Sequence, residues 1–271
     1  VRRDGVAEFN VQSGGYSDYQ GLEHDPPRMT AIQEAVASFE TTLVALVDTY
    51  RWHERYTEAE LCQLFGYRQA FCISLKATDV NHGVGVTLLG DGNIVSATAI
   101  RLYNRDCLRA RVCLGGELVT LYVVYLTSFS GYDRMRQAQA LVLDAHTLSD
   151  TERIMVVGDC NSARPERVNW LLRLAGRCRR RPWRIPGRLA WLSEAFELVH
   201  TEAISTLRRA GFCDELADCP GSTFRKQIWR ITFRVAVDYV FTRNLKPRGG
   251  CVLNTHEFRH ASDHAGIVWL Y

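Results

Sequence analysis

Between Arg68 and Tyr125, five β-rich runs follow one another: Arg68 to Leu75, Val84 to Leu89, Ile94 to Leu102, Cys107 to Leu114 and Leu118 to Tyr125. Turn residues separate them, notably Gly90-Asp91-Gly92-Asn93 and Gly115-Gly116, which favour tight hairpins and an antiparallel arrangement. Helical patterns lie on both sides. Met29, Ile32, Val36 and Phe39 share one face of a helix over Arg28 to Glu40, between strands at Val6 to Val11 and Thr42 to Asp48. Thr57 and Glu60 form a capping-box pattern and Gly66 a stop, which bound a short helix. A helix from Tyr132 to His146 carries Met135, Ala138, Leu141 and Val142 on its apolar face. Helical segments over Arg167 to Gly211 are interrupted by Gly176, Pro182 and Pro186, and strands near Ile228 to Thr242, Cys251 to His256 and Gly266 to Tyr271 close the chain. The pattern predicts two stacked sheets with helices outside.

With 271 residues and 46% hydrophobic composition the chain can bury a full core, and it reads as a single domain over 1–271. It contains no apolar run long enough to span a membrane, and its first residues lack the apolar segment of a signal peptide, so it reads as soluble. A start other than methionine is expected for a mature product or an excised domain. Nine cysteines without a Cys-x-x-Cys pair argue against a disulfide framework or zinc site and for reduced thiols in a cytoplasmic-type compartment.

The run Met155 to Ser162 reads Met-Val-Val-Gly-Asp-Cys-Asn-Ser. A short apolar strand ending in a glycine turn can project an acid and an amide from its tip, and alternation with period two puts Asp159 and Asn161 on one side. Such a pair can orient a water and a phosphate oxygen. A second unusual acid is Asp238, inside an apolar run between Val237 and Tyr239. An unpaired carboxylate there is costly, so it needs a partner, and a histidine is a good one.

Net charge is only +3, but its distribution is uneven. Arg173, Arg177, Arg179, Arg180, Arg181, Arg184 and Arg188 occur with Trp183 among them and no acid to offset them, in a basic helical insertion near 167–200. Arg179, Arg180 and Arg181 are candidates for phosphate contacts and Trp183 for stacking on an unpaired base; the plain alternative is a solvated loop.

Taken in order, Asn10, Asp48, Gly158-Asp159-Cys160-Asn161, Val237-Asp238-Tyr239-Val240-Phe241 and Ser262-Asp263-His264 resemble the endonuclease/exonuclease/phosphatase superfamily, which includes DNase I-like nucleases and AP endonucleases. Arg134, Gln137 and Leu141, and then Gly211-Phe212-Cys213-Asp214 with Thr223, agree with its intermediate landmarks. The resemblance spans nearly the whole chain. It implies a four-layer α/β/β/α sandwich with two mixed, largely antiparallel sheets packed face to face. It also implies a Mg²⁺-dependent phosphodiesterase acting on nucleic acid, with Mn²⁺ as the alternative ion. Asp48, Asp263 and Asn10 would hold the metal through oxygen ligands, and Asp159 would orient or deprotonate the attacking water. Asn161 would donate to a phosphate oxygen. His264 would stabilise developing charge, with Asp238 fixing its tautomer.

The chain also departs from the family pattern. The usual metal-binding glutamate, preceded by Leu-Gln, is Asp48 preceded by Leu46-Val47. A common histidine before leucine is Tyr125, as in the AP-endonuclease branch where the hydroxyl contacts phosphate, but Thr127 and Ser128 replace the Pro-Asn that follows there. Cys160 replaces a phenylalanine and should point into the core. These changes keep two alternatives in view: a phosphatase on a phosphoinositide or other small phosphoester, and a catalytically silent module that binds nucleic acid or protein. Taken singly, Asn10 and Asp48 are also ordinary turn caps, and His264 an ordinary surface residue.

Overall fold

The computed structural model describes residues 2–16, 25–76, 83–164, 197–219, 221–228, 231–245, 249–253 and 256–271. The chain begins with β1 (Arg3–Asn10), α1 (Pro26–Ala37) and β2 (Thr41–Val47), followed by α2 (Trp52–Arg55) and α3 (Glu58–Phe65). Strands β3 (Gln69–Ser74), β4 (Gly85–Gly90), β5 (Ile94–Leu102), β6 (Arg105–Leu114) and β7 (Glu117–Tyr125) come next. Then follow α4 (Gly131–His146), β8 (Ile154–Asp159), α5 (Glu202–Arg209), β9 (Cys213–Asp214), β10 (Phe224–Ile228), β11 (Ile231–Val235) and β12 (Asp238–Arg243). Strand β13 (Gly249–Leu253), α6 (His256–Ala261) and β14 (Gly266–Leu270) complete it.

Two six-stranded sheets form, in the orders β13-β14-β1-β2-β4-β3 and β5-β6-β7-β8-β12-β9, with β10 and β11 as a separate two-stranded ribbon. The pairs β1–β2 and β7–β8 are parallel, and the other pairings are antiparallel. Parallel neighbours need a crossover, and α1 and α4 supply it. Val6, Leu43, Ala45 and Val86 of the first sheet meet Leu121, Val123, Val157 and Val240 of the second in the central core. On the first sheet's outer face Phe9, Val44 and Leu46 pack against Ile32 of α1, Leu61 of α3 and Phe258 of α6. Tyr122, Val156 and Phe241 on the opposite outer face pack against Leu141 of α4 and Ile204 of α5. The result is the expected four-layer sandwich. Fully burying one such aliphatic or aromatic side chain contributes about 1.5–3 kcal/mol.

Local signals were accurate where they were geometric. Thr57 and Glu60 form the reciprocal capping box, and Gly66 ends α3 in the left-handed region at φ 69°. Four expectations need correction. The Gly90–Asn93 turn does not close a hairpin: β4 and β5 lie in different sheets, so this turn carries the chain across the sandwich. The run Ile228 to Thr242 is not one strand, because the chain turns after β10, returns as β11 and re-enters the second sheet as β12. Helix α6 occupies His256–Ala261, where no helix was expected and where a strand was read as far as His256. In α4 the fully buried positions include Arg134 and Gln137, whereas Met135 and Val142 are half-buried.

The insertion expected near 167–200 lies almost wholly in 165–196, outside the described residues. Eight cysteines are described and all are free thiols. Among the described residues no helix is long and apolar enough to cross a membrane.

Candidate active site

The two parallel pairs end at the same side of the sandwich. Their carboxyl ends present Asn10 and, one residue past β2, Asp48 from one sheet, and Tyr125 and Asp159 from the other. Tyr125 is in register with Asp159 across β7–β8, and Asp238 is in register with Asp159 across β8–β12. Gly158 permits this approach: it adopts φ +134°, and a Cβ there would lie 1.9 Å from the Val124 carbonyl oxygen. Only glycine fits both constraints.

Asp159 is 1% exposed, and both its oxygens accept hydrogen bonds. Asn10 Nδ2 donates to Oδ2 at 3.0 Å, and the Asn161 backbone N–H donates to Oδ1 at 2.7 Å. Strand β8 stops at Asp159, and Asn161 has φ +47°, so period-two alternation does not place its side chain. A tight Asp–backbone turn does so instead, and Asn161 Nδ2 donates to the Leu126 carbonyl at 2.8 Å. Cys160 is buried in the outer core, as expected.

His264 is 8% exposed and its Nδ1 lies 2.9 Å from Asp238 Oδ2. The Asp238 backbone is fixed by Thr223, whose Oγ1 accepts from the N–H groups of Val237 and Asp238 at 2.9 and 3.0 Å. Ser262 Oγ accepts from the His264 N–H at 3.1 Å, and the Phe224 ring sits 5.0 Å from the imidazole. Asp159, Asp238 and His264 each offer one ligand-capable atom within 4.8 Å of the other two.

Burial is the main cause that pushes Asp159 up to about 7, followed by the Asp238 charge; His264 and the two hydrogen bonds pull the other way. For His264, burial acts downward, but the Asp238 charge and hydrogen bond outweigh it and raise the imidazole to about 10. Near neutral pH the centre therefore pairs a carboxylate close to its own midpoint with an imidazolium.

Asn10 ends β1, Asp48 follows β2 by one residue and Asp263 precedes β14 by three, on strands that are neighbours in one sheet. Asp48 is buried at φ +59° and its Oδ2 accepts from the Ser13 N–H at 2.9 Å. Asp263 Oδ1 lies 3.8 Å from His264 Nε2. Asn10 does cap a turn, since its Oδ1 accepts from the Gln12 N–H at 2.9 Å, while its amide reaches Asp159. The Tyr125 ring lies 5.2 Å from the Arg105 guanidinium carbon. Arg179, Arg180, Arg181 and Trp183 lie outside the described residues.

One important residue, Glu8, escaped the sequence reading, and a second, Arg134, entered it only as a family landmark without a role. Glu8 on β1 is 1% exposed, and neither carboxylate oxygen has a hydrogen-bond partner among the described residues. Burial, then the Asp238 charge, raises its carboxyl well above the usual range. An acid between Ala7 and Phe9 carried the same signal as Asp238. Arg134 is fully buried: its guanidinium donates to Ser162 Oγ, the carbonyls of Thr127 and Ser128, and the Glu197 carbonyl. It thereby ties together the segments that follow Tyr125 and Asn161.

The sequence matches the model of the endonuclease/exonuclease/phosphatase family over residues 7–264. The chain belongs to that family. Its members are phosphoester hydrolases, and general phosphoester hydrolysis is the activity that membership supports. No curated protein matches the sequence. Among solved structures, a family protein from Leptotrichia buccalis C-1013-b is 12% identical with a TM-score of 0.66, covering 98% of each chain. TDP2 from D. rerio, solved with a single-strand DNA product, is 13% identical with a TM-score of 0.60, covering 98% of this chain and 97% of its own. The mannosyl-6-phosphatase Bt3783 from Bacteroides thetaiotaomicron VPI-5482 is 12% identical with a TM-score of 0.64, covering 98% of each. At such identities the likeness is one of fold.

Proposed function

We propose that the protein is a divalent-metal-dependent phosphodiesterase acting on nucleic acid. The observation that carries this reading is the buried Asp159–Asp238–His264 constellation, with one carboxylate near its midpoint and the other holding an imidazolium. Asp159 accepts the proton of the attacking water, and Asn10 and the Asn161 N–H hold its carboxylate in place. His264 faces the phosphate as a cation and stabilises charge as it develops, while Asp238 fixes which ring nitrogen points outward. The Tyr125 hydroxyl and the Asn161 amide supply further contacts to phosphate oxygens.

The donor set fits a hard cation: Asp48 and Asn10 offer oxygen at the ends of β2 and β1, Asp263 offers it from the segment leading into neighbouring β14, and Asp263 Oδ1 is buried without a hydrogen-bond partner among the described residues. These residues would hold Mg²⁺ or Mn²⁺, which polarises a phosphoryl oxygen when bound.

The deciding experiment incubates purified protein with Mg²⁺ and a panel of DNA, RNA, a simple phosphodiester and phosphomonoesters, with and without chelator. Chelator-sensitive cleavage of polynucleotide and diester is expected. Turnover confined to monoesters would assign a small-phosphoester phosphatase instead. No turnover, together with no metal binding that depends on Asp48 and Asp263, would leave a silent binding module.

A further inference from the structure

A cleft of about 410 Å³ opens beside His264, with Phe224, Arg225, Arg234, Arg259 and Asp263 on its walls. Its position is fixed by backbone hydrogen bonds. The Arg225 N–H donates to the Asp263 carbonyl at 2.9 Å, and the Ala265 N–H donates to the Thr223 carbonyl at 2.6 Å, so the β10–β11 ribbon is fastened to the segment that carries His264. Within the ribbon Arg225 and Arg234 are cross-strand partners, which puts both side chains on one face. Like charges directly opposite one another disfavour pairing. Both arginines are exposed, and among the described residues neither forms an ion pair. Arg28 and Arg259, the latter exposed on α6, add further positive charge to the lining, and among the described residues Asp263 is its only acid.

Two opposed arginines that form no ion pair among the described residues have their electrostatic complement in an anion. We infer that this cleft binds the phosphate adjacent to the scissile one on a nucleic-acid strand, with Arg225 and Arg234 as its principal contacts. Small-molecule sites are mostly apolar enclosures with a few polar groups. This wall is instead cationic and open, as suits a backbone that must continue past the reaction centre. The inference rests on the phosphodiesterase reading for its substrate class.

The test measures binding apart from turnover. A fluorescein-labelled single-stranded oligonucleotide is titrated with the full chain in chelator, followed by anisotropy at several salt concentrations, for wild type and for Arg225→Ala/Arg234→Ala. The double variant should bind about tenfold more weakly at moderate salt, and the slope of log affinity against log salt should shrink by about 0.7, the value for one phosphate of a single strand. An unchanged melting temperature confirms that the variant is folded. Binding and salt slope identical to wild type would overturn the inference. So would displacement of the oligonucleotide by a hexose bisphosphate but not by the matching monophosphate, which would give the cleft to a small bisphosphate. Because no hydrolysis is scored, an inactive enzyme that still binds through these arginines leaves the subsite standing, and an active one that ignores them does not.

Discussion

Asp159 and Asp238 stand directly opposite each other on β8 and β12, both out of solvent, and each is held by a different partner: Asn10 for the first and His264 for the second. Two buried carboxylates cannot both ionise without compensation, so the charge on Asp238 that raises His264 also raises Asp159. Removing that charge should move both groups downward together. In Asp238→Asn, the His264 imidazole, followed by NMR, should fall from about 10, since burial is then opposed only by the smaller contributions of the Asp263 and Asp159 charges. Turnover should drop as the imidazolium is lost. A His264 titration unchanged in the variant would break the coupling.

Asp159→Asn should lose about a hundred- to ten-thousand-fold in turnover, the range for a positioned acid or base. Its effect on stability has the opposite sign. The folded-state value of about 7 lies above the ordinary 3.8, so the contribution of Asp159 is fully present below pH 3.8 and lost as pH rises through about 7. His264, raised from 6.5 to about 10, contributes below pH 6.5 and loses that contribution as pH rises through about 10. Thermal melting from pH 4 to pH 8 should therefore favour the asparagine variant increasingly over wild type across that first window. Parallel curves would show that Asp159 does not titrate there.

Gly158→Ala should be among the most damaging small changes in the chain. The added methyl would meet the Val124 carbonyl at 1.9 Å in a backbone conformation that L residues rarely adopt. Strain of this kind costs on the order of 1–3 kcal/mol before the steric clash is counted. Denaturant unfolding should show a loss larger than that, and the shifted β7–β8 pairing should reduce turnover with it.

Most of the fold was legible because strands, caps and turns leave local marks: β5 and the Thr57–Glu60 box fell where the pattern put them. The Gly90–Asn93 turn was misread because a tight turn fixes a change of direction but not which sheet the next strand joins. Within the site, Asp238 was legible as an acid in an apolar strand, and its partner followed. Asn161 was placed by the wrong device, since β8 stops at Asp159 and Asn161 itself adopts φ +47°. Arg225 and Arg234 were hidden because Ile228 to Thr242 reads as one strand, and their opposition exists only once β11 folds back on β10.

Glu8→Met should stabilise the protein. Both oxygens of Glu8 are buried without partners among the described residues, and leaving such a group unsatisfied costs about 1–3 kcal/mol. A methionine of similar length fills the space without that cost. Urea denaturation should show a higher midpoint at unchanged slope. A lower midpoint would mean that Glu8 is held by interactions that a thioether cannot replace.

Arg134→Met should destabilise strongly and act on the site at a distance. The guanidinium is completely buried, and burial draws it down to about 10 without neutralising it at physiological pH. Its removal strips donors from the Thr127, Ser128 and Glu197 carbonyls and from Ser162. Breaking a buried charged group away from its partners costs about 3–5 kcal/mol. Because Thr127 follows Tyr125 and Leu126, and Leu126 accepts the Asn161 amide, the loss should loosen both contacts to phosphate. At a temperature where the variant is still folded, the expected kinetic signature is a raised KM with a lowered kcat, partly restored in Arg134→Lys. A variant with reduced stability but native kinetics would confine Arg134 to the scaffold.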